Sequence, residues 1–254
     1  MFDNTYIVIQ AGGRGVRLRH HTWNKPKCLV SIHGKPILYH YFNIFSKSKF
    51  IIIGDYQFES LENYLNVNPP GIEYELIEAK GKGTLAGISS ALTKIPPNSS
   101  VIIGWSDLIF GNQPNFNMEN DIVVFTTSSF LCRWSVSNKG FLHELPSSKN
   151  GIPGVFYFRK SKLIPQIPDE GEFVKWFSQN IKDYSFFNFS EIDELGDISN
   201  VEKVNDEDGF SRFFNNVEMK DTKVIKTVIL KEYEQVHINE ISWYNEAENL
   251  GFRR

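Results

Sequence analysis

A doubly wound α/β fold with a mostly parallel sheet is predicted by three features of this chain. Apolar, β-rich runs recur at short intervals, segments with helical spacing lie between the early ones, and the first run ends in a glycine-rich turn. The runs are Tyr6 to Ile9, Phe50 to Ile53, Tyr74 to Ile77, Val101 to Gly104, Ile122 to Thr126 and Val155 to Phe158. Most are unbroken rather than alternating, as strands buried on both faces are. Pro36 to Phe45 begins with proline at a plausible first helical position, while Phe58 to Leu65 and Gly83 to Leu92 carry apolar residues at helical spacing. The result is βαβα alternation. No internal repeat or low-complexity segment interrupts it, and the nearest approach to a boundary is the polar, acidic stretch Asn205 to Gly209.

Composition narrows the function classes. The chain has 254 residues, 41% hydrophobic and 14% aromatic, enough for one good-sized core with a small annex. Its formal net charge of -3 gives no overall basic field for nucleic acid, so any bound anion must be held by a local cluster. Cys28 and Cys132 form neither a CxxC nor a metal-type spacing, which suits a reducing cytosol. The apolar run near the amino terminus is too short for a signal peptide, and no run approaches the ~18 apolar residues of a membrane span. A cytoplasmic protein without membrane or nucleic-acid partners is expected.

In a doubly wound sheet the ligand sits at the carboxyl ends of the strands, and the first βα turn is the usual phosphate cradle. Here that turn reads Ala11, Gly12, Gly13, Arg14, Gly15, Val16, Arg17, Leu18. Glycines let the main chain approach a polyphosphate and donate amide hydrogens to it; arginine adds forked, permanently charged donors. The dinucleotide fingerprint G-x-G-x-x-G does not fit, because Gly15 is followed by Val16, Arg17 and Leu18. Nor does a Walker A loop, since no Gly-Lys-Ser/Thr follows.

Five motifs in order resemble the nucleotidyltransferase superfamily that makes sugar nucleotides and CDP-alcohols. They are Ala11 to Leu18; Pro26-Lys27; Gly34-Lys35-Pro36-Ile37; Gly83-Thr84-Leu85-Ala86-Gly87; and Gly104-Trp105-Ser106-Asp107, with Gly151 to Phe156 continuing the likeness. The resemblance implies a Rossmann-like transferase domain over residues 1–205. It also implies transfer of a nucleoside monophosphate from an NTP to a phosphorylated acceptor, with release of pyrophosphate. Since a phosphate monoester has its second pKa near 6, the attacking oxygen is already anionic and no general base is needed. What remains is positioning and charge neutralisation.

By the same resemblance, Arg17 meets the β- and γ-phosphates and Lys27 the α-phosphate and the acceptor. Ala11, Gly12, Gly13, Arg14 and Gly15 form the triphosphate cradle, and Gly83 and Thr84 the nucleoside patch. Mg2+ is the implied cofactor, with Asp107 its first ligand. For the second, Glu194-Leu195-Gly196-Asp197 aligns with the superfamily's D-x-G-T, which favours Glu194 and leaves Asp193 and Asp197 as alternatives. His20 and His21 read as solvated or phosphate-adjacent, and Trp105 as core or pocket wall. Lys80 and Lys82 border the nucleoside patch as phosphate contacts or a solvated loop.

The compact transferase portion and the wording "SIHGKPIL" are similar to CTP-dependent cytidylyltransferases of bacterial surface-polysaccharide pathways. CTP is therefore the expected donor, with phosphocholine or L-glutamine phosphate as the type of acceptor. The alternatives are a sugar-1-phosphate enzyme using UTP, dTTP or GTP, and a non-catalytic nucleotide-binding protein. The stretch 206–254 reads as two strand-like runs about Lys220-Asp221 and an amphipathic helix from roughly Asn239 to Leu250. With Lys226 on the hairpin and Glu240 on the helix, it resembles the opening of a small-molecule kinase lobe, yet no HxD or DFG segment follows. It is read as a remnant of such a lobe or as a homodimer contact.

Overall fold

The first strand, β1 (Tyr6–Gln10), lies in the middle of a seven-stranded sheet and is buried along Ile7, Val8 and Ile9. The computed structural model describes residues 2–195, 197 and 201. The proposed extension 206–254 and the boundary before it lie outside the described residues.

In chain order the strands are β1, β2 (Ser31–Ile32), β3 (Lys35–Pro36), β4 (Lys49–Gly54), β5 (Tyr74–Glu78), β6 (Val101–Trp105), β7 (Leu108–Phe110) and β8 (Ile122–Thr126). They continue with β9 (Trp134–Val136), β10 (Leu142–His143), β11 (Gly151–Ile152), β12 (Phe156–Phe158), β13 (Ser185–Asn188) and β14 (Ile192–Glu194). The helices are α1 (Ile37–Ile44), α2 (Phe58–Val67), α3 (Thr84–Leu92) and α4 (Phe173–Asn180). The large sheet has the order β13-β8-β12-β6-β1-β4-β5, in which only β12 runs antiparallel to its neighbours. This is the doubly wound, mostly parallel architecture that the unbroken apolar runs predict.

Alternation along the central strands sorts side chains into two layers, because successive residues point to opposite faces. Ile7, Ile9 and Ile52 pack with Leu38, Tyr41 and Phe42 of α1 on one face. Val8, Ile51 and Ile53 pack with Leu85, Ile88 and Ala91 of α3 and with Phe173 and Phe177 of α4 on the other. Pro36 stands one residue outside the position expected for it: at φ -56°, ψ 144° it ends β3 and precedes α1, and its extended ψ excludes it from the first turn.

Register decides where the loops emerge. Gln10 is paired with Ile53 of β4 and with Trp105 of β6, and Ile53 in turn with Ile77 of β5. Four parallel strands therefore end at one level, and the segments after them gather at a common carboxyl edge. They are packed tightly there. A methyl group on Gly12 would stand 2.5 Å from Asp55 Cβ, whereas one on Gly13 would meet nothing within 4 Å. Among the described residues no helix is long and apolar enough to cross a membrane.

Gly12→Ala is accordingly expected to cost about 1–3 kcal/mol through overpacking against the β4–α2 turn. Gly13→Ala, at an open position without positive φ, should stay within about 0.5 kcal/mol of the parent. Urea unfolding midpoints of the two variants check both values.

Candidate active site

Lys27 and Asp107 are brought together at the carboxyl edge by two different devices. Lys27 opens a short 3-10 turn, Lys27–Leu29, and is buried. Asp107 follows β6, where Ser106 N donates to Gln10 O at 3.1 Å and holds the strand end against β1. The Lys27 ammonium then donates to Asp107 Oδ2 at 2.5 Å, with side-chain exposures of 9% and 19%.

Glu194 arrives from far along the chain by strand pairing. In the antiparallel ladder of β7 and β14, Glu194 faces Leu108, and Leu195 N donates to Asp107 O at 2.7 Å. That register sets the Glu194 carboxylate beside Asp107. Burial, and then the Asp107 negative charge, push the Glu194 carboxyl above its ordinary value, against the opposing pull of Lys27 and of Arg17, whose guanidinium is 3.7 Å away. Asp193 and Asp197 flank this point; Asp197 adds a smaller upward push on Glu194, and Asp193 is paired opposite Ile109.

Two adjacent carboxylates are a suitable share of ligands for magnesium, which takes one or two protein carboxylates and completes its octahedron with phosphate oxygens and water. Among the described residues no group of three or more His, Cys, Asp or Glu side chains is assembled for a metal. The hard-oxygen pair Asp107 and Glu194, with one partner raised by the other's charge, fits a divalent cation.

Two cavities meet at Asp107. One of about 410 Å³ is lined by Gly12, Gly13, Gly15, Arg17, Lys27 and Gly83 together with Gln10 and Asp55. The other, of about 270 Å³, is lined by Phe130, Arg133, Trp134, Glu172, Phe173 and Glu194. Thr84, Trp105 and Asp107 line both. The wall between them is firmly held: Thr84 O accepts from Gln10 Nε2 at 2.7 Å, and Thr84 Oγ1 accepts from Phe173 N at 2.8 Å. Gly83, at φ 82°, lies so close to the next loop that a Cβ would stand 2.3 Å from Gly171 O. Only glycine serves there, for both conformation and space.

The remaining candidates from the sequence fall in different places. Ala11 is fully buried and its amide is taken by Ile53 O at 2.8 Å, so it supports the cradle from beneath. Arg14 is exposed and carries its guanidinium over the Tyr56 ring, 5.2 Å from the centroid, rather than lining either cavity. The His20 and His21 rings lie against one another in a tilted pair, with centroids 4.2 Å apart. Lys80 and Lys82 are exposed, and Lys82 O accepts from Gly171 N. Sequence reading did not single out Gln10, Asp55, Arg133, Glu172 or Phe173. Asp55 had a usable signal, since it directly follows the apolar run of β4 and therefore stands at the same edge as the glycine turn. Arg133, Glu172 and Phe173 had none, because long-range packing alone brings them to the cavity.

Residues 7–114 match the family model of the MobA-like NTP transferase domain. Two curated relatives, the bifunctional proteins GlmU of Methanococcus maripaludis strains C5 and S2, are each 32% identical over 105 and 119 residues, 41% and 45% of this chain. The chain spans only about a quarter of their length (25% and 28%). Among solved structures, HddC from Yersinia pseudotuberculosis complexed with GMP-PN aligns with a TM-score of 0.64 at 18% identity, covering 81% of this chain and 99% of HddC. The CTP:phosphocholine cytidylyltransferase of Streptococcus pneumoniae gives 0.60 at 17%, covering 80% and 98%. The inositol-1-phosphate CTP transferase of T. maritima gives 0.61 at 14%, covering 84% and 98%. At these identities the structural likeness concerns the fold, and it is the fold of the superfamily that the motifs resemble.

The raised Glu194 carboxyl yields a prediction with a definite sign. A carboxyl whose folded pKa lies above its unfolded value carries no penalty at low pH, where it is protonated in both states. Stability is lost as pH rises through the folded pKa. Glu194→Gln should therefore melt higher than the parent near pH 7 without divalent ions, and the gain should vanish toward about pH 4, near the ordinary glutamate value. Thermal melts across that range read it directly.

Proposed function

We propose that this chain is a magnesium-dependent nucleotidyltransferase that moves CMP from CTP onto a small phosphorylated acceptor and releases pyrophosphate. The carrying observation is the pair of cavities that share Thr84, Trp105 and Asp107. Such a junction suits a reaction in which two anionic substrates must be held at once, and it supports direct transfer between them.

In this reading the larger cavity takes the nucleotide. Amides of Gly12, Gly13 and Gly15 cradle the triphosphate, Arg17 meets its β- and γ-phosphates, and the nucleoside lies along Gly83 and Thr84. The smaller cavity takes the acceptor. An acceptor phosphate oxygen attacks the α-phosphorus in line, the new P–O bond forms, and the bond to the β-phosphate bridging oxygen breaks with its electron pair leaving on pyrophosphate. Lys27 lines the larger cavity beside Asp107 and exchanges its bond to Asp107 for the α-phosphate and the incoming oxygen. Asp107 and Glu194 would hold magnesium. When bound, that ion supplies the positive charge that lets the two anions approach.

The acceptor side is aromatic at Trp105, Phe130, Trp134 and Phe173, with Glu172 and Arg133 at one wall. Aromatic faces and a carboxylate suit an acceptor bearing a cationic nitrogen, and the exposed Arg133–Glu172 contact at 3.3 Å is weak enough for substrate groups to replace. Phosphocholine and L-glutamine phosphate both carry such a nitrogen. CTP is supported by two of the structural neighbours, the CTP:phosphocholine cytidylyltransferase and the inositol-1-phosphate CTP transferase. A second reading, a sugar-1-phosphate enzyme with another NTP, is favoured by the neighbour complexed with GMP-PN. We place the enzyme in the cytoplasm, serving capsule or surface-polysaccharide modification, with residues 206–254 as a separate extension for homodimer contact.

Pyrophosphate release with magnesium, crossing CTP, UTP, dTTP and GTP against phosphocholine, L-glutamine phosphate and sugar 1-phosphates, tests the proposal. Release with CTP and an alcohol or amino-acid phosphate is expected; release only with a sugar phosphate moves the chain to the second reading. Silence in every combination refutes transferase activity toward these substrates. In the same assay Lys27→Ala should lower turnover on the order of a hundredfold or more, and a variant with undiminished turnover would remove Lys27 from the mechanism.

A further inference from the structure

Tyr56 touches the glycine–arginine loop at three points, near its start, at Arg14 and at its end. The residue follows β4, in the turn that leads into α2. Its amide donates to Gly12 O at 3.3 Å, at the start of the loop. Its ring lies under the Arg14 guanidinium at 5.2 Å, in the middle. Its hydroxyl reaches Thr22 O at 3.1 Å and Trp23 O at 3.3 Å, where the 3-10 segment Val16–Thr22 ends. The loop has reason to need such a brace. Arg19 within it takes φ 50°, ψ -123°, a costly conformation for a residue with a side chain. Leu18 and Thr22 are buried and anchor part of the loop, while Val16 and Trp23 are 78% and 75% exposed and add little to its hold.

Resting on the reading that this loop cradles the triphosphate, we propose that Tyr56 is a positioning residue for the nucleotide, clamping Gly12, Arg14 and the Thr22–Trp23 turn so that the cradle amides and Arg17 are set before the nucleotide arrives. Arg14 accordingly acts as part of the clamp. Its charge is spent on the Tyr56 ring, and the loop residues that line the nucleotide cavity are Gly12, Gly13, Gly15, Val16 and Arg17. A loop held in advance spares the nucleotide the entropy of ordering it. The brace reaches the nucleotide cavity through Gly12, which the Tyr56 amide holds and which lines that cavity, whereas no residue of the loop lines the acceptor cavity.

The test uses the full chain with Tyr56→Phe, which removes only the hydroxyl bonds, and Tyr56→Ala, which also removes the ring beneath Arg14. Kinetics with the nucleotide and acceptor that support turnover are paired with calorimetric binding of a non-hydrolysable analogue of that nucleotide. Tyr56→Phe should raise nucleotide KM and Kd roughly three- to tenfold, as loss of one or two hydrogen bonds implies, and Tyr56→Ala further. The kcat and the acceptor KM should hold to within about twofold, the pattern of lost uniform binding to one substrate. Unchanged nucleotide KM and Kd in Tyr56→Phe would overturn the proposal, as would equal rises in both KM values, which mark a general structural defect. Should Tyr56→Ala fail to fold, Tyr56→Phe still decides. If the unmodified chain binds no nucleotide, the underlying reading fails and this proposal with it; if it binds normally and only the Tyr56 effect is missing, the reading stands and this proposal alone falls.

Discussion

The ion pair between Lys27 and Asp107 is the constraint around which the carboxyl edge of the sheet is organised. Taking an ammonium and a carboxylate out of water costs several kcal/mol per ion, and their attraction offsets this only when the geometry is good and the other lone pairs are served. At 2.5 Å, with side-chain exposures of 9% and 19%, the pair has that geometry. Removing either partner would strand a largely buried charge beside Glu194, whose own carboxyl is already raised by burial and by Asp107. A stable hydrophobic fold does not require so exacting an arrangement there. Under the proposed function it has a use, because each buried charge becomes a partner for an incoming phosphate.

Strand register makes the arrangement possible. Because Gln10 is level with both Ile53 and Trp105, the segments that leave β1, β4 and β6 are forced into contact, and Gly12 fits against Asp55 only for want of a Cβ. The same edge is extended by the ladder of β7 and β14, which brings Glu194 beside Asp107 across a long stretch of sequence. Thr84 then fastens the floor of one cavity to the wall of the other through Gln10 and Phe173. The two cavities thus share a firmly held partition, and they meet at Asp107, the carboxylate of the charged pair.

Much of this was legible in the chain itself, and the physical reason differs by element. The central strands are buried on both faces, so their residues have to be continuously apolar, and the pattern reports them. The glycine turn reports itself because the close packing of Gly12 on Asp55 and of Gly15 on Thr22 and Lys27 demands residues without side chains. Pro36 misled by one position, since its fixed φ suits both an extended residue and a helix start and only ψ distinguishes them. The contact of the Arg14 guanidinium with Tyr56, on another turn, has no signal in the sequence near either residue. The smaller cavity is the least visible part. Its walls come from strands of two or three residues, β9 and β11, and from the start of α4, and such short pieces have no periodicity to read.

The most direct test of the account is a crystal structure of the chain with magnesium and a non-hydrolysable CTP analogue. In that complex Lys27 Nζ is expected to have left Asp107 Oδ2 and to bond the α-phosphate, with the triphosphate lying on the amides of Gly12, Gly13 and Gly15. A bound nucleotide with the Lys27–Asp107 bond still at 2.5 Å, or one seated away from Lys27, would contradict it.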